Sequence, residues 1–347
     1  MCRILVFFLS LSFVPLFGVE LHEGSLKGAP YRVAVPEKWE TGKVFFHVHG
    51  WRPDDALHQA DLDLKDPFYQ SLLKQGWIIG RTAFLKNGVD HDAHTVALRD
   101  LKSWIEEKFG PIKMLILEGE STAGTLVLRI AEQDVDLADG VIAMGAYIDL
   151  NDPSVDSYLS ATPMLPSILM SNMTEIADPL KYAVKAESAV IQPSLWPLLR
   201  PGHVNVNWVE RKEALTMMVQ AIETGVPLPL LTDGTRAVPT RDTGTSKEDG
   251  AIVNVVTAIN PFYGNAFLGF HPDELLSAGL VKGKSFEIEI AGNSWPVLFG
   301  DSYGDVPLGE WVAFPTADEF ILLVRNHKSA VETAGLEVGD QVRISLE

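Results

Sequence analysis

A serine set among small residues is the strongest candidate for chemistry. The segment GESTAG, residues 119–124, lies between an apolar run at 114–117 and an apolar stretch of helical character. A Gly-x-Ser-x-Gly turn from strand to helix strains the backbone of its serine and needs small neighbours. Gly119 and Ala123 fill those places, with alanine standing for the second glycine. The pattern predicts Ser121 as a nucleophile; the alternative is an ordinary turn in which Ser121 caps the helix.

A base and an acid can be placed downstream of this serine. His203 follows Pro201-Gly202 and precedes a predicted helix at 210–224. Glu175 and Asp178 both follow the apolar run at 167–170. Either carboxylate could orient His203 and stabilise its imidazolium form. Glu175 is slightly preferred because it comes sooner after the strand, and the order serine, acid, histidine fits a hydrolase triad.

With these motifs, residues 31–225 resemble a compact α/β-hydrolase, similar to small esterase and peptidase-like members. The run at 44–48 leads into His49-Gly50-Trp51, and the resemblance implies that the N–H groups of Trp51 and Thr122 hold the oxyanion. It implies an acyl-enzyme formed from an ester, thioester or amide of a small molecule or peptide, without a metal or organic cofactor.

The order of predicted elements agrees with an α/β fold. Apolar strand-like runs alternate with amphipathic helices, which predicts a mostly parallel sheet with helices on both faces. Predicted strands lie at 44–48, 77–82, 114–117, 141–144, 167–170 and 204–208, and predicted helices at 95–109, 125–132 and 210–224. The domain is expected to span 20–230, followed by a polar linker at 231–249 without periodicity.

Residues 250–347 follow a different pattern of short strands separated by Gly and Asn turns, which predicts a smaller, mostly β domain. The expected strands are 252–258, 286–290, 295–299, 320–324 and 341–344. The sequence contains Tyr263-Gly264-Asn265, then Tyr303-Gly304-Asp305 with Gly309-Glu310, then a closing segment at 339–344. In this order the motifs resemble the C-terminal, barrel-like domain of the S-adenosylmethionine hydroxide adenosyltransferase family.

That resemblance implies a site for the adenosine end of a ligand, usually at a trimer interface. Carried over by position, the contacts would be Tyr263, Asn265, Tyr303, Arg325 and Asn326. The family's Thr-Asn pair is Leu268-Gly269 in this chain, so the polar part of the site departs from the pattern. The family's catalytic N-terminal domain is absent, and adenosyl transfer is therefore not expected. The alternative is a structural or oligomerisation module.

The N-terminal residues and the composition suggest where the protein acts. Residues 1–19 combine Arg3 with an apolar run interrupted by Pro15, the pattern of a secretory signal peptide, and predict a secreted or periplasmic protein without a lasting membrane span. The only cysteine, Cys2, lies in that segment. A net charge of −18 disfavours nucleic acid and anionic membranes as partners.

Two functions follow from these patterns. The preferred one is an exported serine hydrolase that uses Ser121, His203 and either Glu175 or Asp178. The other is a protein that binds an adenosine-like ligand, or oligomerises, through its C-terminal domain while the hydrolase fold is inactive.

Overall fold

The computed structural model describes residues 18–345. The predicted signal segment therefore lies outside the described residues except for its last two positions, of which Val19 begins the first strand. No helix in the described range is long and apolar enough to cross a bilayer.

The N-terminal domain is built on an eight-stranded sheet in the order β1-β2-β4-β3-β5-β6-β7-β8. Its strands are β1 (Val19–Leu26), β2 (Ala29–Pro36), β3 (Lys43–Val48), β4 (Ile78–Thr82), β5 (Met114–Glu120), β6 (Gly140–Met144), β7 (Ser167–Asn172) and β8 (Ser194–Leu198). β2 pairs antiparallel with β1 and β4, whereas β4, β3 and β5 to β8 are parallel. The carboxyl ends of the parallel strands therefore lie along one edge, where ligands bind in open α/β sheets.

Helices cover both faces of this sheet, as the alternation of elements predicts. The helices are α1 (Pro67–Lys74), α2 (His91–Phe109), α3 (Thr122–Gln133), α4 (Ala177–Lys185) and α5 (Trp208–Thr224). One core joins the sheet to α2, α3 and α4 through residues such as Leu101, Leu126 and Tyr182. A second core joins the other face to α1 and α5 through Phe68 and Met218. The buried strands are apolar along their length because both faces are covered.

One predicted strand is wrong. Residues 204–208 form no strand: Val204 has φ of 51°, and Trp208 already begins α5. The last strand of the sheet is β8, ten residues earlier, where Pro197 interrupts an otherwise apolar pattern. The alternation of apolar residues at 204–208 arises instead because Val204 and Val206, in the irregular loop before α5, and Trp208, at the start of α5, pack against the second core.

The C-terminal domain is a closed barrel, which confirms the predicted β fold. Its strands are β9 (Ser246–Glu248), β10 (Ala251–Asn260), β11 (Asn265–Leu268), β12 (Ser285–Ile290), β13 (Asn293–Phe299), β14 (Trp311–Pro315), β15 (Ile321–Arg325) and β16 (Gln341–Ser345), with short helices α6 (Pro272–Ser277) and α7 (Ala330–Ala334). The order β11-β15-β14-β13-β12-β16-β10 closes when β10 pairs with β11, and β9 adds to β10 outside the ring. Closure leaves the seven ring strands without a free edge.

The segment between the domains has little regular structure, but two of its arginines form hydrogen bonds to the two domains. Arg236 donates to the carboxylate of Glu213 on α5. Arg241 donates to the carbonyls of Gly269, Phe270 and Glu319 in the barrel. The predicted linker is thus packed against both domains rather than extended between them.

Candidate active site

Ser121 occupies a strained turn between β5 and α3. Its backbone has φ of 56° and ψ of −122°, and its side chain makes no capping bond to the helix. A positive φ is costly for a non-glycine residue and persists where the surrounding structure holds it. The neighbours must be small, since a Cβ on Gly119 would lie 2.1 Å from the carbonyl oxygen of Ala123. The turn has the geometry of a nucleophile elbow, which exposes a serine hydroxyl at the end of the sheet.

The serine hydroxyl meets His203, and His203 meets Glu175. The distance from Ser121 Oγ to His203 Nε2 is 2.9 Å. On the other side of the ring, Nδ1 contacts the Oε2 atom of Glu175. The second carboxylate oxygen accepts from the N–H of Val204 at 3.3 Å. The chain hydroxyl–imidazole–carboxylate is the arrangement in which a histidine takes a proton from serine while the acid fixes its tautomer.

The loops that carry the acid and the histidine are joined on both sides of this contact. Asn172, at the end of β7, exchanges two hydrogen bonds with the backbone of Asn205, at 2.8 and 3.0 Å. Thr174 donates its hydroxyl proton to the carbonyl of Gly202 at 2.7 Å. These bonds fix Glu175 and His203 relative to one another before any substrate arrives.

Asp178, the other candidate acid, does not reach His203. It lies in the first turn of α4, its side chain is 52% exposed, and it accepts from Lys181 at 2.8 Å. An acid in the first turn of a helix also interacts favourably with the helix dipole. The assignment of Asp178 as the acid partner of His203 is therefore wrong in this structure, because the helix directs its side chain to solvent.

The loop after β3 approaches Ser121 closely. A Cβ on Gly50 would lie 2.8 Å from the carbonyl oxygen of Glu120 and 3.0 Å from Ser121 Cβ, so only glycine fits. Trp51 follows it, and Thr122 is the first residue of α3, whose N–H has no acceptor within the helix. Thr122 is thus the chain neighbour of Ser121, and Trp51 follows the glycine that packs against it. The N–H groups of Trp51 and Thr122 as oxyanion donors remain a prediction.

A shallow recess lies beside Gly50 and Thr122, and its lining includes His49, His91 and His94. Burial, followed by the charges of Arg52 and Arg81, lowers the pKa of His49 well below its ordinary value. Burial likewise lowers the pKa of His91, and that of His94 to about 4. These lowered pKa values favour the neutral form of all three histidines at neutral pH. No group of three or more His, Cys, Asp or Glu residues between positions 18 and 345 is arranged to hold a metal ion.

A buried ionic network, which the sequence reasoning missed, supports β5, the strand that leads into Ser121. Glu118 is fully buried, contacts His47 at 2.9 Å and accepts from Arg211 on α5 at 2.6 Å. Arg211 also donates to Asp66 at 2.9 Å. Burial alone would raise the pKa of Glu118, but Arg211 and His47 outweigh it and lower the pKa to about 2. Two glutamates inside an apolar strand, Glu118 and Glu120, were the available signal, because buried carboxylates need partners.

Two of the five carried-over barrel residues face the hydrolase domain. Tyr263 donates its hydroxyl proton to the carbonyl of Trp51 at 2.6 Å. Tyr303 lies beside Tyr147, the third residue after β6, which sequence reasoning also missed. Burial, and then the neighbouring Tyr303 and Glu175, raise the pKa of Tyr147.

The other three lie within the barrel. Asn265 pairs in register with Asn260 where β11 begins. Arg325 donates to the carbonyl of Gly309 at 2.9 Å and to Thr333 at 2.7 Å. Asn326 is buried and donates to the carbonyl of Val306. A nucleoside site and a trimer interface made by these residues remain predictions.

One protein-family model matches part of the C-terminal domain. Residues 256–343 match the family model described as the SAM hydroxide adenosyltransferase C-terminal domain. No curated protein matches the sequence. Among solved structures, the chain is similar to an esterase from Pyrococcus furiosus, with 14% identity, coverage of 59% of this chain and 90% of that one, and a TM-score of 0.44.

Two further solved structures show similar partial likeness. An acylaminoacyl peptidase in complex with a chloromethyl ketone gives 13% identity over 59% of this chain and 41% of its own, with a TM-score of 0.45. An uncharacterised conserved protein from Thermotoga maritima gives 18% identity over 37% of this chain and 49% of its own, with a TM-score of 0.28. The chain thus spans less than half of each of these two proteins. The sheet and helices of the N-terminal domain have the α/β-hydrolase arrangement, and the C-terminal barrel contains the region that matches the SAM hydroxide adenosyltransferase C-terminal domain model.

Proposed function

We propose that this protein is a serine hydrolase that cleaves an ester, thioester or amide through an acyl-enzyme on Ser121. The observation that carries the proposal is the contact of Ser121 Oγ with His203 Nε2 at 2.9 Å, at a serine with φ of 56°. A serine that merely ended a strand would need neither the strained backbone nor a histidine oriented by a carboxylate.

The proposed reaction has two halves. In the first, His203 Nε2 takes the proton of Ser121 while Oγ attacks the acyl carbon, and the N–H groups of Trp51 and Thr122 stabilise the oxyanion. When the tetrahedral intermediate collapses, the bond to the leaving group breaks and His203 gives its proton to that group. In the second half, His203 takes a proton from water, the resulting hydroxide attacks the acyl carbon, and Ser121 leaves with the proton returned by His203.

Glu175 has a positioning role in this scheme. Its carboxylate keeps the proton of neutral His203 on Nδ1, which leaves Nε2 free to accept from Ser121. The side chains of His203 and Glu175 are 22% and 19% exposed, so the ion pair that forms during reaction is partly shielded from water, and its attraction is stronger than on an open surface.

A fluorophosphonate probe tests the proposal directly, because it forms a covalent bond only with an activated serine. We expect the wild-type protein to be labelled once per chain, and Ser121→Ala to lose labelling together with about 10⁶-fold in turnover of an activated ester. Ser154→Ala, which changes an exposed serine bonded to Asp152, is the matched control and should label like wild type. Absence of labelling in wild type, or equal labelling of Ser121→Ala, would refute the hydrolase assignment. Export through residues 1–19 remains a prediction from the sequence.

A further inference from the structure

The described residues expose few aromatic side chains, and these lie around one place. Only four Phe, Trp or Tyr side chains between positions 18 and 345 are more than about a third exposed: Trp51 at 41%, Tyr147 at 50%, Tyr263 at 36% and Tyr303 at 38%. We call these four residues the aromatic rim. Exposed apolar residues that lie together often mark a binding site, whereas single ones scattered over a surface need no explanation.

The sheet topology places half of the aromatic rim on the two sides of the nucleophile. β5 ends at Ser121, and its neighbours β3 and β6 are parallel to it. Trp51 follows β3, and Tyr147 follows β6. Because parallel neighbours end at the same edge of the sheet, the two aromatic residues flank Ser121. The ring of Tyr147 also lies 5.2 Å from the ring of His203.

The barrel supplies the other half of the aromatic rim and reaches the same two sides. Tyr263 bonds the carbonyl of Trp51, and the preceding Phe262 lies under the guanidinium of Arg52 at 3.5 Å. Tyr303 lies beside Tyr147. The barrel therefore touches the loop after β3 and the loop after β6, with the nucleophile strand between them.

A third set of contacts attaches the barrel to the histidine loop. The turn between β14 and β15 donates the N–H of Ala317 to the side chain of Asn205 at 2.6 Å. The next residue, Asp318, accepts from the N–H of Trp208 at 3.2 Å. Asn205 itself is bonded to Asn172, which precedes the acid Glu175 by three residues. The barrel is thus connected to three of the loops that surround Ser121.

From this arrangement we propose that the two domains together form one substrate-binding subsite, in which Tyr147 and Tyr303 of the aromatic rim hold a planar, aromatic group on the leaving-group side of the scissile bond. The inference rests on the proposed function of Ser121. The leaving-group side is chosen because Tyr147 lies beside His203, the group that protonates the departing atom. Aromatic walls favour a flat ring over a saturated one of equal size, by about 1 kcal/mol for each well-formed pair.

The test compares two acetate esters whose alcohols differ in planarity but not in chain length: benzyl acetate and cyclohexylmethyl acetate. We expect wild type to show a higher kcat/KM for the benzyl ester. Tyr147→Leu and Tyr303→Leu should each reduce the ratio of the two kcat/KM values about fivefold, which corresponds to about 1 kcal/mol. Val338→Ala, an exposed apolar residue of the barrel at 62% exposure, is the control and should keep the ratio.

A binding measurement separates this proposal from the proposed function. In Ser121→Ala, benzyl acetate should quench the intrinsic fluorescence more strongly than cyclohexylmethyl acetate, and Tyr303→Leu added to that variant should remove the difference. Equal ratios in wild type and both tyrosine variants, with equal quenching by the two esters, would overturn the subsite while labelling of Ser121 still stands. Loss of labelling in wild type together with preserved benzyl binding would overturn the hydrolase and leave the aromatic subsite. Melting curves identify a variant that has failed to fold, and the remaining tyrosine variant then decides.

Discussion

The candidate site residues of the hydrolase domain and the motif residues of the barrel differ in what their side chains bind. In the hydrolase domain, Ser121, Glu175 and His203 come from loops after three different strands and meet through their side chains. In the barrel, Arg325 donates to the carbonyl of Gly309, and Asn326 donates to the carbonyl of Val306. The three hydrolase-domain residues come together from distant parts of the chain. The two barrel residues instead stabilise backbone segments of the barrel itself.

This difference shows that a motif is informative about chemistry only when its donors and acceptors stay available to a ligand. Ser121, His203 and Glu175 contact one another through their side chains rather than through their own backbone. Tyr263 and Tyr303 stay partly exposed but are directed at the hydrolase domain. Two of the barrel's motif residues, Tyr263 and Tyr303, therefore contact the loops after β3 and β6 of the N-terminal domain.

The largest effect is expected from the choice of acid. Glu175→Gln should lower kcat about 10⁴-fold, because an amide can hold His203 in the wrong tautomer. Asp178→Asn, three residues later, is the matched control and should leave kcat within about twofold, since its partner is the exposed Lys181. Steady-state kinetics on one activated ester decides between them. A larger loss in Asp178→Asn would show that α4 turns its acid toward His203 in solution.

A smaller effect, on stability, is expected from the buried network beneath β5. Glu118→Gln leaves Arg211 and His47 without their full partner in a dry environment and should lower the free energy of unfolding by about 3 kcal/mol or more. Asp92→Asn breaks the exposed contact of Asp92 with Arg129 and should change it by less than about 1 kcal/mol. Urea unfolding of both variants measures the difference. Equal changes would mean that the network is better hydrated than its burial indicates.

The smallest effect concerns the contact between the domains. Burial raises the pKa of Asp318 to about 6, with Asp66 and Glu210 adding to the shift and the Trp208 N–H and Arg211 opposing it. In the unfolded chain the pKa of this carboxyl is about 3.9. Between those values the folded state binds more protons, so Asp318 makes the protein less stable as the pH rises from about 4 to about 6.

Asp318→Asn removes this titration and keeps an oxygen acceptor for Trp208. We expect the variant to be more stable than wild type by about 1 to 3 kcal/mol at pH 7.5 and no more stable at pH 3.5. Asp55→Asn removes an exposed carboxylate and controls for net charge. Thermal melting at the two pH values is the measurement. Identical pH profiles for wild type and Asp318→Asn would show that the carboxylate stays hydrated between the domains.

The sequence predicted the position of the elbow serine better than it predicted the residues around it. Small residues at 119 and 123 and the flanking strand and helix sufficed to locate Ser121, since the turn itself is a local structure. The sequence favoured Glu175 over Asp178 only by its distance from the strand and left both open, because both follow β7 and only the start of α4 determines which one faces His203. Tyr147 gave no signal at all, as a tyrosine after a strand has no distinguishing neighbours.

The sequence by itself determined the order of the elements, the nucleophile elbow and the presence of two unlike domains. These features depend on apolar periodicity and on glycine, whose effects act over a few residues. Only the tertiary structure decided that Glu175 contacts His203 and that Glu118 forms an ion pair with Arg211. It also decided that Tyr263 and Tyr303 contact the loops after β3 and β6. Such contacts join residues far apart in the chain, and they are set by how strands and domains pack rather than by local preference.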